Sequence, residues 1–241
     1  MLSLFFVPSL PDAGTFTVDG DEAHHAIKVM RLSVGEDVLL SDGGGAWAQA
    51  KITDIDKRSF DVEISARGIE IEESPELVVA QALTKSDRTK ESIELLVEAG
   101  VNRILPWEAQ RSIAKWKVDS GEKYLQSART AAKQSRRFNV PQIDHPVSTK
   151  DLAKLTGVGT LLLVFHESAE ENLTATFQAI DLHPITSIIC VVGPEGGISD
   201  EELEILSAEG AKVVKLGRPV LRSAHAGIAA LIAVQTLIGR L

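Results

Sequence analysis

Hydrophobic and polar positions change rhythm partway along the chain. Up to about residue 72 the apolar residues come in short, partly alternating runs: Val38-Leu39-Leu40, Trp47-Ala48-Gln49-Ala50-Lys51-Ile52 and Phe60-Asp61-Val62-Glu63-Ile64. Period-two alternation places every second side chain on one face and predicts half-buried β-strands. Asp19-Gly20, Val34-Gly35 and Asp42-Gly43-Gly44-Gly45 punctuate these runs as turns. The exception is Glu22 to Met30, which reads as a short helix. The apolar start Met1-Leu2-Ser3-Leu4-Phe5-Phe6-Val7 has no basic residue before it and stops at Pro8. A first strand is therefore expected there rather than a signal peptide. This part predicts a small β-barrel.

The acidic, proline-containing stretch Glu70-Ile71-Glu72-Glu73-Ser74-Pro75-Glu76 marks a domain boundary. We divide the chain there into residues 1–73 and 74–241. Beyond it, continuous apolar runs alternate with amphipathic ones, the pattern of a parallel sheet covered on both faces. Strands are expected at Leu77 to Leu83, Val101 to Leu105, Thr160 to Phe165, Ser187 to Val192 and Lys212 to Leu216. Helices are expected at Ser86 to Ala99, Lys123 to Arg137, Ser199 to Ala208 and Ala226 to Ile238. Ser199 with Glu202 three residues later has the form of a capping box.

Composition adds limits. The chain has 241 residues and one cysteine, Cys190, inside the apolar run Ser187 to Val192. No intrachain disulfide is possible, a reducing cytoplasm suits the chain, and Cys190 reads as a small buried hydrophobe rather than a nucleophile. No stretch approaches the roughly 20 apolar residues of a membrane span, and no metal-ligand set is expected. The net charge of −9 looks unsuited to nucleic acid, but the charge is uneven. Arg111, Lys115, Lys117, Lys123, Arg129, Lys133, Arg136 and Arg137 face only Asp119 and Glu122 in the same window, so that window is +6 and the rest −15. Such a strip is either a solvated helix face or a grip on a phosphate backbone.

Three segments at the carboxyl ends of expected strands could carry chemistry, because ligands of open α/β sheets bind there. Gly193-Pro194-Glu195-Gly196-Gly197 leaves one buried strand and meets a helix N-terminus. Its glycines permit close backbone approach and Glu195 adds one acceptor. It lacks the Gly-x-Gly-x-x-Gly and Walker patterns, which disfavours classical dinucleotide and nucleoside-triphosphate sites. Leu216-Gly217-Arg218-Pro219-Val220-Leu221-Arg222-Ser223-Ala224-His225 follows the last strand. Between Leu221 and small residues, Arg222 is expected to be partly buried beside an anionic partner. Leu163, Phe165, His166 and Glu167 form the third strand end.

The glycine loop with Leu216-Gly217 and Leu221-Arg222 resembles the cofactor-binding knot of the SPOUT methyltransferases. His24-His25-Ala26-Ile27-Lys28-Val29-Met30-Arg31, Lys85-Ser86-Asp87-Arg88, Glu98-Ala99-Gly100-Val101 and Ala131-Ala132-Lys133-Gln134-Ser135-Arg136-Arg137 are similar to segments of the ribosomal RNA small subunit methyltransferase E family. These matches run in order through nearly the whole chain. Many members carry Arg where this chain has Pro219 and Thr-Glu-Thr-Ala where it has Ser223-Ala224-His225-Ala226.

The resemblance implies an α/β trefoil-knot domain with a parallel sheet, a PUA-like barrel at the N-terminus, and transfer of a methyl group from S-adenosylmethionine to N3 of a uridine in small-subunit ribosomal RNA. It implies cofactor contacts from Leu163, Phe165, His166, Glu167, Gly193, Pro194, Glu195, Gly196, Gly197, Leu216, Gly217, Val220, Leu221 and Arg222. Arg222 and Glu195 are the catalytic candidates. Arg31, Lys85, Arg88, Arg111, Arg129, Gln134, Arg136 and Arg137 are the RNA-binding candidates. A homodimer acting on small-subunit RNA or the assembled subunit is implied as well. A ribose 2′-O-methyltransferase and a non-catalytic RNA-binding protein are the competing readings.

Overall fold

The computed structural model describes residues 2–11 and 13–241; Met1, the first residue of the expected N-terminal strand, lies outside them. The chain forms two compact units, residues 1–72 with 132–140, and residues 73–131 with 141–241. The return of residues 132–140 to the first unit is invisible to a linear reading.

In the first unit, β1 (Ser3–Phe6), β2 (Thr15–Val18), β3 (Asp37–Ser41), β4 (Ala46–Ile55) and β5 (Phe60–Ile69) form one curled sheet in the order β1-β3-β4-β5-β2. Alternate residues Val38 and Leu40, Ala48, Ala50 and Ile52, and Phe60 and Val62 fill its core with Phe5. The helix expected at Glu22 to Met30 is α1 (Gly20–His24) running into a π-helical turn (His25–Met30), which Arg31 ends in the left-handed conformation. Residues 132–140 are held to this unit by side chains. Lys133 pairs with Glu22 and lies over the Phe5 ring, Phe138 stacks on Trp47, and the Phe138 carbonyl accepts from Ser41 Oγ.

The second unit is a six-stranded sheet in which every named pairing is parallel. It is built from β6 (Glu76–Ala82), β7 (Arg103–Trp107), β8 (Gln142–Ile143), β9 (Thr160–Phe165), β10 (Ser187–Val192) and β11 (Lys212–Val214), in the order β11-β9-β10-β6-β7-β8. Gln81, Val192, Phe165 and Val214 stand level in the register, so the carboxyl ends of four strands share one edge. The helices are α2 (Ser86–Glu98), α3 (Ser120–Ser135, whose last turn enters the first unit), α4 (Thr149–Ala153), α5 (Leu173–Ala179), α6 (Asp200–Ala208) and α7 (Ser223–Leu237).

One sheet face buries Val78, Ala80, Leu162, Val164, Ile189 and Val191 against Leu152 of α4 and Leu206 of α6. Burial of that size, at roughly 25 cal/mol per Å² of apolar surface, dominates the unit's stability. The capping box forms as expected, and Glu202 is buried because it also accepts from Gln110 N–H and Thr149 Oγ1. Cys190 is fully buried, and burial pushes its thiol up to about 12. No described helix is long and apolar enough to cross a membrane.

Candidate active site

The three segments converge on the carboxyl edge of β9, β10 and β11. Phe165, His166 and Glu167 from the end of β9 and Leu216, Gly217, Val220 and Leu221 from the loop after β11 line one open crevice of about 100 Å³. Arg218, Pro219, Lys215 and Ala226 complete it. His166 is fixed from both sides of its backbone and ring: its N–H donates to the Val214 carbonyl, and Nδ1 lies 2.8 Å from Ser168 Oγ. Val220 and Leu221 are 72% and 42% exposed on the lip. Two large apolar side chains left in water beside a crevice are the mark of a surface that a ligand covers. Leu163, by contrast, is fully buried in the sheet and does not line the crevice.

The glycine loop after β10 is held by its neighbours. Gly197 closes a turn with its N–H on the Pro194 carbonyl at a φ of +75°, a conformation that costs any side-chain-bearing residue. A Cβ at Gly196 would lie 3.1 Å from Arg111 Cβ, and the Gly196 carbonyl accepts from Arg111 Nη1 at 3.1 Å. Glu195 accepts from Arg88 Nη1 at 2.7 Å. Arg88 and Arg111, expected on RNA, thus both brace this loop.

Arg222 corrects one expectation. It is the N-cap of α7 and is exposed, with no ion pair among the described residues, rather than partly buried beside an anion. The physical reason is that α7 begins at Ser223, three residues before the expected start. Ser223 Oγ donates to the Gly193 carbonyl at 2.7 Å and accepts from Gln81 Nε2 at 2.9 Å. That anchor turns Ser223 and Ala224 inward and Arg222 outward. Gln81 in turn accepts from Ser92 Oγ, so a buried chain of polar groups links α2, β6, α7 and the glycine loop. Sequence reasoning missed Gln81 and Ser92, although one amide in the apolar run Leu77 to Leu83 was a readable signal. His225 Nε2 lies 3.3 Å from Glu91 Oε1 on the surface.

The remaining RNA-binding candidates are scattered. Lys85 is exposed just before α2, while Arg129 and Gln134 are exposed on α3. Arg31 is exposed at the end of the π-helical turn, and Arg136 takes the left-handed conformation at the end of α3. Arg137 is half-buried; burial lowers its guanidinium from the usual arginine range, against the pull of Glu72 and Glu70.

Residues 72–235 match the family described as RNA methyltransferase domain, and residues 18–65 match the RNA methyltransferase PUA domain. These two matches set the chain in a class, RNA methyltransferases that carry a PUA domain. The ribosomal RNA small subunit methyltransferase E of Mycobacterium tuberculosis is 39% identical over 98% of this chain and 92% of its own length; that of Bacillus subtilis is 28% identical over 93% and 91%. The chain belongs to the ribosomal RNA small subunit methyltransferase E family. Among solved structures, that of the Neisseria gonorrhoeae enzyme bound to S-adenosyl methionine superposes with a TM-score of 0.87 at 26% identity, covering 98% of both chains. A methyltransferase from Legionella pneumophila in complex with the same cofactor gives 0.85 at 26%, again over 98% of each. The α/β knotted-methyltransferase fold with a PUA-like domain, expected from the sequence, is therefore the fold of this chain.

Proposed function

We propose that the chain methylates N3 of a uridine in small-subunit ribosomal RNA, with S-adenosylmethionine as donor. The observation that carries this is the crevice at the ends of β9, β10 and β11, set in a chain whose full-length relatives are ribosomal RNA methyltransferases. The residues present suit the cofactor: exposed Val220 and Leu221 offer apolar cover for a purine ring, and the backbone of residues 216–217 offers hydrogen-bonding groups. Phe165, His166, Glu167, Leu216, Gly217, Val220 and Leu221 would contact it, with Gly193, Pro194, Gly196 and Gly197 shaping the neighbouring loop and Leu163 supporting them from the sheet.

The cofactor supplies an activated methyl group on a sulfonium; the chain supplies placement and electrostatics. Uridine N3 bears a proton that has to pass to solvent when the methyl group is accepted, and its loss puts negative charge on O2 and O4. Arg222, exposed at the start of α7 and without an ion pair among the described residues, is free to stabilise that charge. Glu195, already on Arg88, orients the loop rather than acting as a base. Residues 1–73 would act as the RNA-binding domain and 74–241 as the catalytic one, with Arg31, Lys85, Arg129, Gln134 and Arg136 on phosphates. The target base has to leave its pairing to be reached. We place the enzyme in the cytoplasm as a homodimer, acting on small-subunit RNA free or in the subunit.

The test incubates the protein with labelled S-adenosylmethionine and either naked small-subunit RNA or assembled small subunits, then digests the RNA to nucleosides for mass spectrometry. N3-methyluridine is the expected product. A ribose-methylated nucleoside, or no transfer to either substrate, overturns the assignment.

A further inference from the structure

The second unit holds a cavity larger than the crevice at β9 and β11. It is a cleft of about 900 Å³ between the start of α2, residues 113–119 and the first half of α3. That volume is at the upper end of pockets that enclose organic ligands, and Leu83 and Thr84 place it just past the carboxyl end of β6, on the same edge of the sheet.

Its walls are sorted by chemistry. Trp116 is half-buried, its ring centroid 5.1 Å from that of Tyr124 and tilted 58° to it. Tyr124 is buried at the base, and burial raises its phenol to about 12, so it stays neutral and polar. Thr84 and Thr89 hydroxyls add hydrogen-bonding groups beside it. Five lysines line the cleft against two aspartates. Lys123 is taken by Asp119 and Lys90 by Glu94. Lys85, Lys115 and Lys117 make no ion pair among the described residues and are exposed. The loop that carries two of them is fixed, because Lys117 N–H donates to Ser120 Oγ and Ser120 N–H returns to the Lys117 carbonyl.

Unpaired lysines and a half-buried indole in one cleft lining are the groups with which proteins hold single-stranded nucleic acid. The ring gives a sequence-tolerant platform for a base, and the ammonium groups meet the phosphates on either side of it.

We propose that this cleft is an RNA-binding site separate from the crevice, which stacks one unpaired nucleobase on Trp116 and holds the adjoining phosphates with Lys115, Lys117 and Lys85. It rests on the RNA substrate class proposed above. The cleft would hold a stretch of single strand next to the target and so fix which nucleotide reaches the crevice.

The experiment titrates the full chain and its variants with naked small-subunit RNA and with a short oligouridylate, following tryptophan fluorescence and anisotropy over a range of salt. Methyl transfer is measured on the same preparations. Trp116→Ala is expected to weaken both RNAs by about ten-fold or more, the cost of one lost base stack. Trp116→Phe keeps a ring and is expected to recover most of that affinity. Lys115→Ala with Lys117→Ala is expected to flatten the log–log salt dependence by about 1.4, two single-strand phosphate contacts. The KM for RNA should rise more than kcat falls. A wild-type protein that methylates ribosomal RNA while Trp116→Ala keeps its affinity and KM overturns this inference alone. A wild-type protein that neither binds nor methylates ribosomal RNA overturns the proposed function and this inference with it. If Trp116→Ala instead turns a dimer into monomers in sedimentation while RNA affinity holds, the cleft is a subunit contact and the proposal is wrong.

Discussion

Two hollows open on one edge of one parallel sheet, and they differ in size and in charge. The small crevice at β9 and β11 sets Leu216-Gly217, Ala226 and the exposed Val220 and Leu221 beside Phe165, His166, Glu167, Lys215 and Arg218. The larger cleft beside β6 is lined by Trp116, Tyr124 and five lysines, with Leu83, Ile93 and Ile113. A small hollow with a short, mixed lining suits one invariant small molecule; a wide one with an aromatic ring and an excess of cations suits a flexible polymer. Arg88, from α2, and Arg111, just before residues 113–119, both hold the glycine loop after β10.

The difference predicts where substitutions act. Gly196→Val should have the largest effect. The new side chain would press on Arg111 Cβ, already 3.1 Å from the Cβ position, and on the Arg111 carbonyl at 3.4 Å. Neither is the free end of a flexible chain, so the loop must move. We expect loss of S-adenosylmethionine affinity by on the order of 100-fold or more, the scale of a few kcal/mol of overpacking. The melting temperature should move by only a few degrees, because the loop is outside the core. Calorimetry with the cofactor and a thermal scan check it; unchanged affinity would remove the loop from the site.

Arg222→Lys comes next. The charge stays but the planar fork of donors is lost. We expect single-turnover methyl transfer to fall by roughly ten- to a thousand-fold, by analogy with removal of one oxyanion donor. Both dissociation constants should change far less, because ground-state uridine is neutral. The exposed position sharpens this test: a brace for the fold would lower the melting temperature, whereas a residue at the helix N-cap with no ion pair among the described residues should not.

These two positions also show how much was legible. The limits of β9 and β10 and the Ser199–Glu202 capping box could be read directly, because continuous apolar runs and a local side-chain motif depend on neighbours in sequence. The switch from alternating to continuous runs gave the change from curled sheet to parallel sheet. The short elements β8 and α4 escaped, since two and five residues carry no periodicity. So did α5, although Asn172 caps it through Ala175 N–H. The exposure of Arg222 could not be read, because it follows from Ser223 bonding to Gly193, thirty residues away in sequence. The basic strip seemed one feature. Folding divides it, leaving Lys115, Lys117 and Lys123 around the cleft while Lys133 and Arg137 serve the first unit.

Two buried groups of the second unit share a property, and pH should expose it. Cys190 lies in the strand that feeds the glycine loop and Tyr124 at the base of the cleft; burial raises both to about 12, from 9.0 and 10.0. Each group's folded value exceeds its unfolded one, so its contribution is whole below about pH 9 and is lost as pH rises toward 12. Near pH 10.5 the unfolded chain is favoured by about 3 kcal/mol more than at pH 8, roughly two-thirds of it through the cysteine. Urea unfolding at both pH values should show this loss, and Cys190→Ala should remove most of it. Stability that stays level to pH 10.5 in the unaltered chain contradicts the shifted values.

The smallest expected effect falls on the ion pair between α2 and the glycine loop. Arg88 and Glu195 meet at 2.7 Å, but their side chains are 52% and 25% exposed, so solvent screens the pair. Exposed ion pairs contribute about 0–1 kcal/mol, and Arg88→Ala should hardly change the melting temperature. Its effect should appear in the glycine loop, as a fall of a few-fold in S-adenosylmethionine affinity that shrinks in high salt. Arg88 was also a candidate for a phosphate, and that role forecasts something else: cofactor affinity held, with the salt slope of duplex RNA binding reduced by about 0.9, taking the value for a double helix. A double-mutant cycle with Glu195→Ala separates the two. If Arg88 braces the loop, the losses in cofactor affinity should not add, with a coupling of about 0.2–1 kcal/mol. Additive losses would mean that the 2.7 Å contact contributes nothing to cofactor binding.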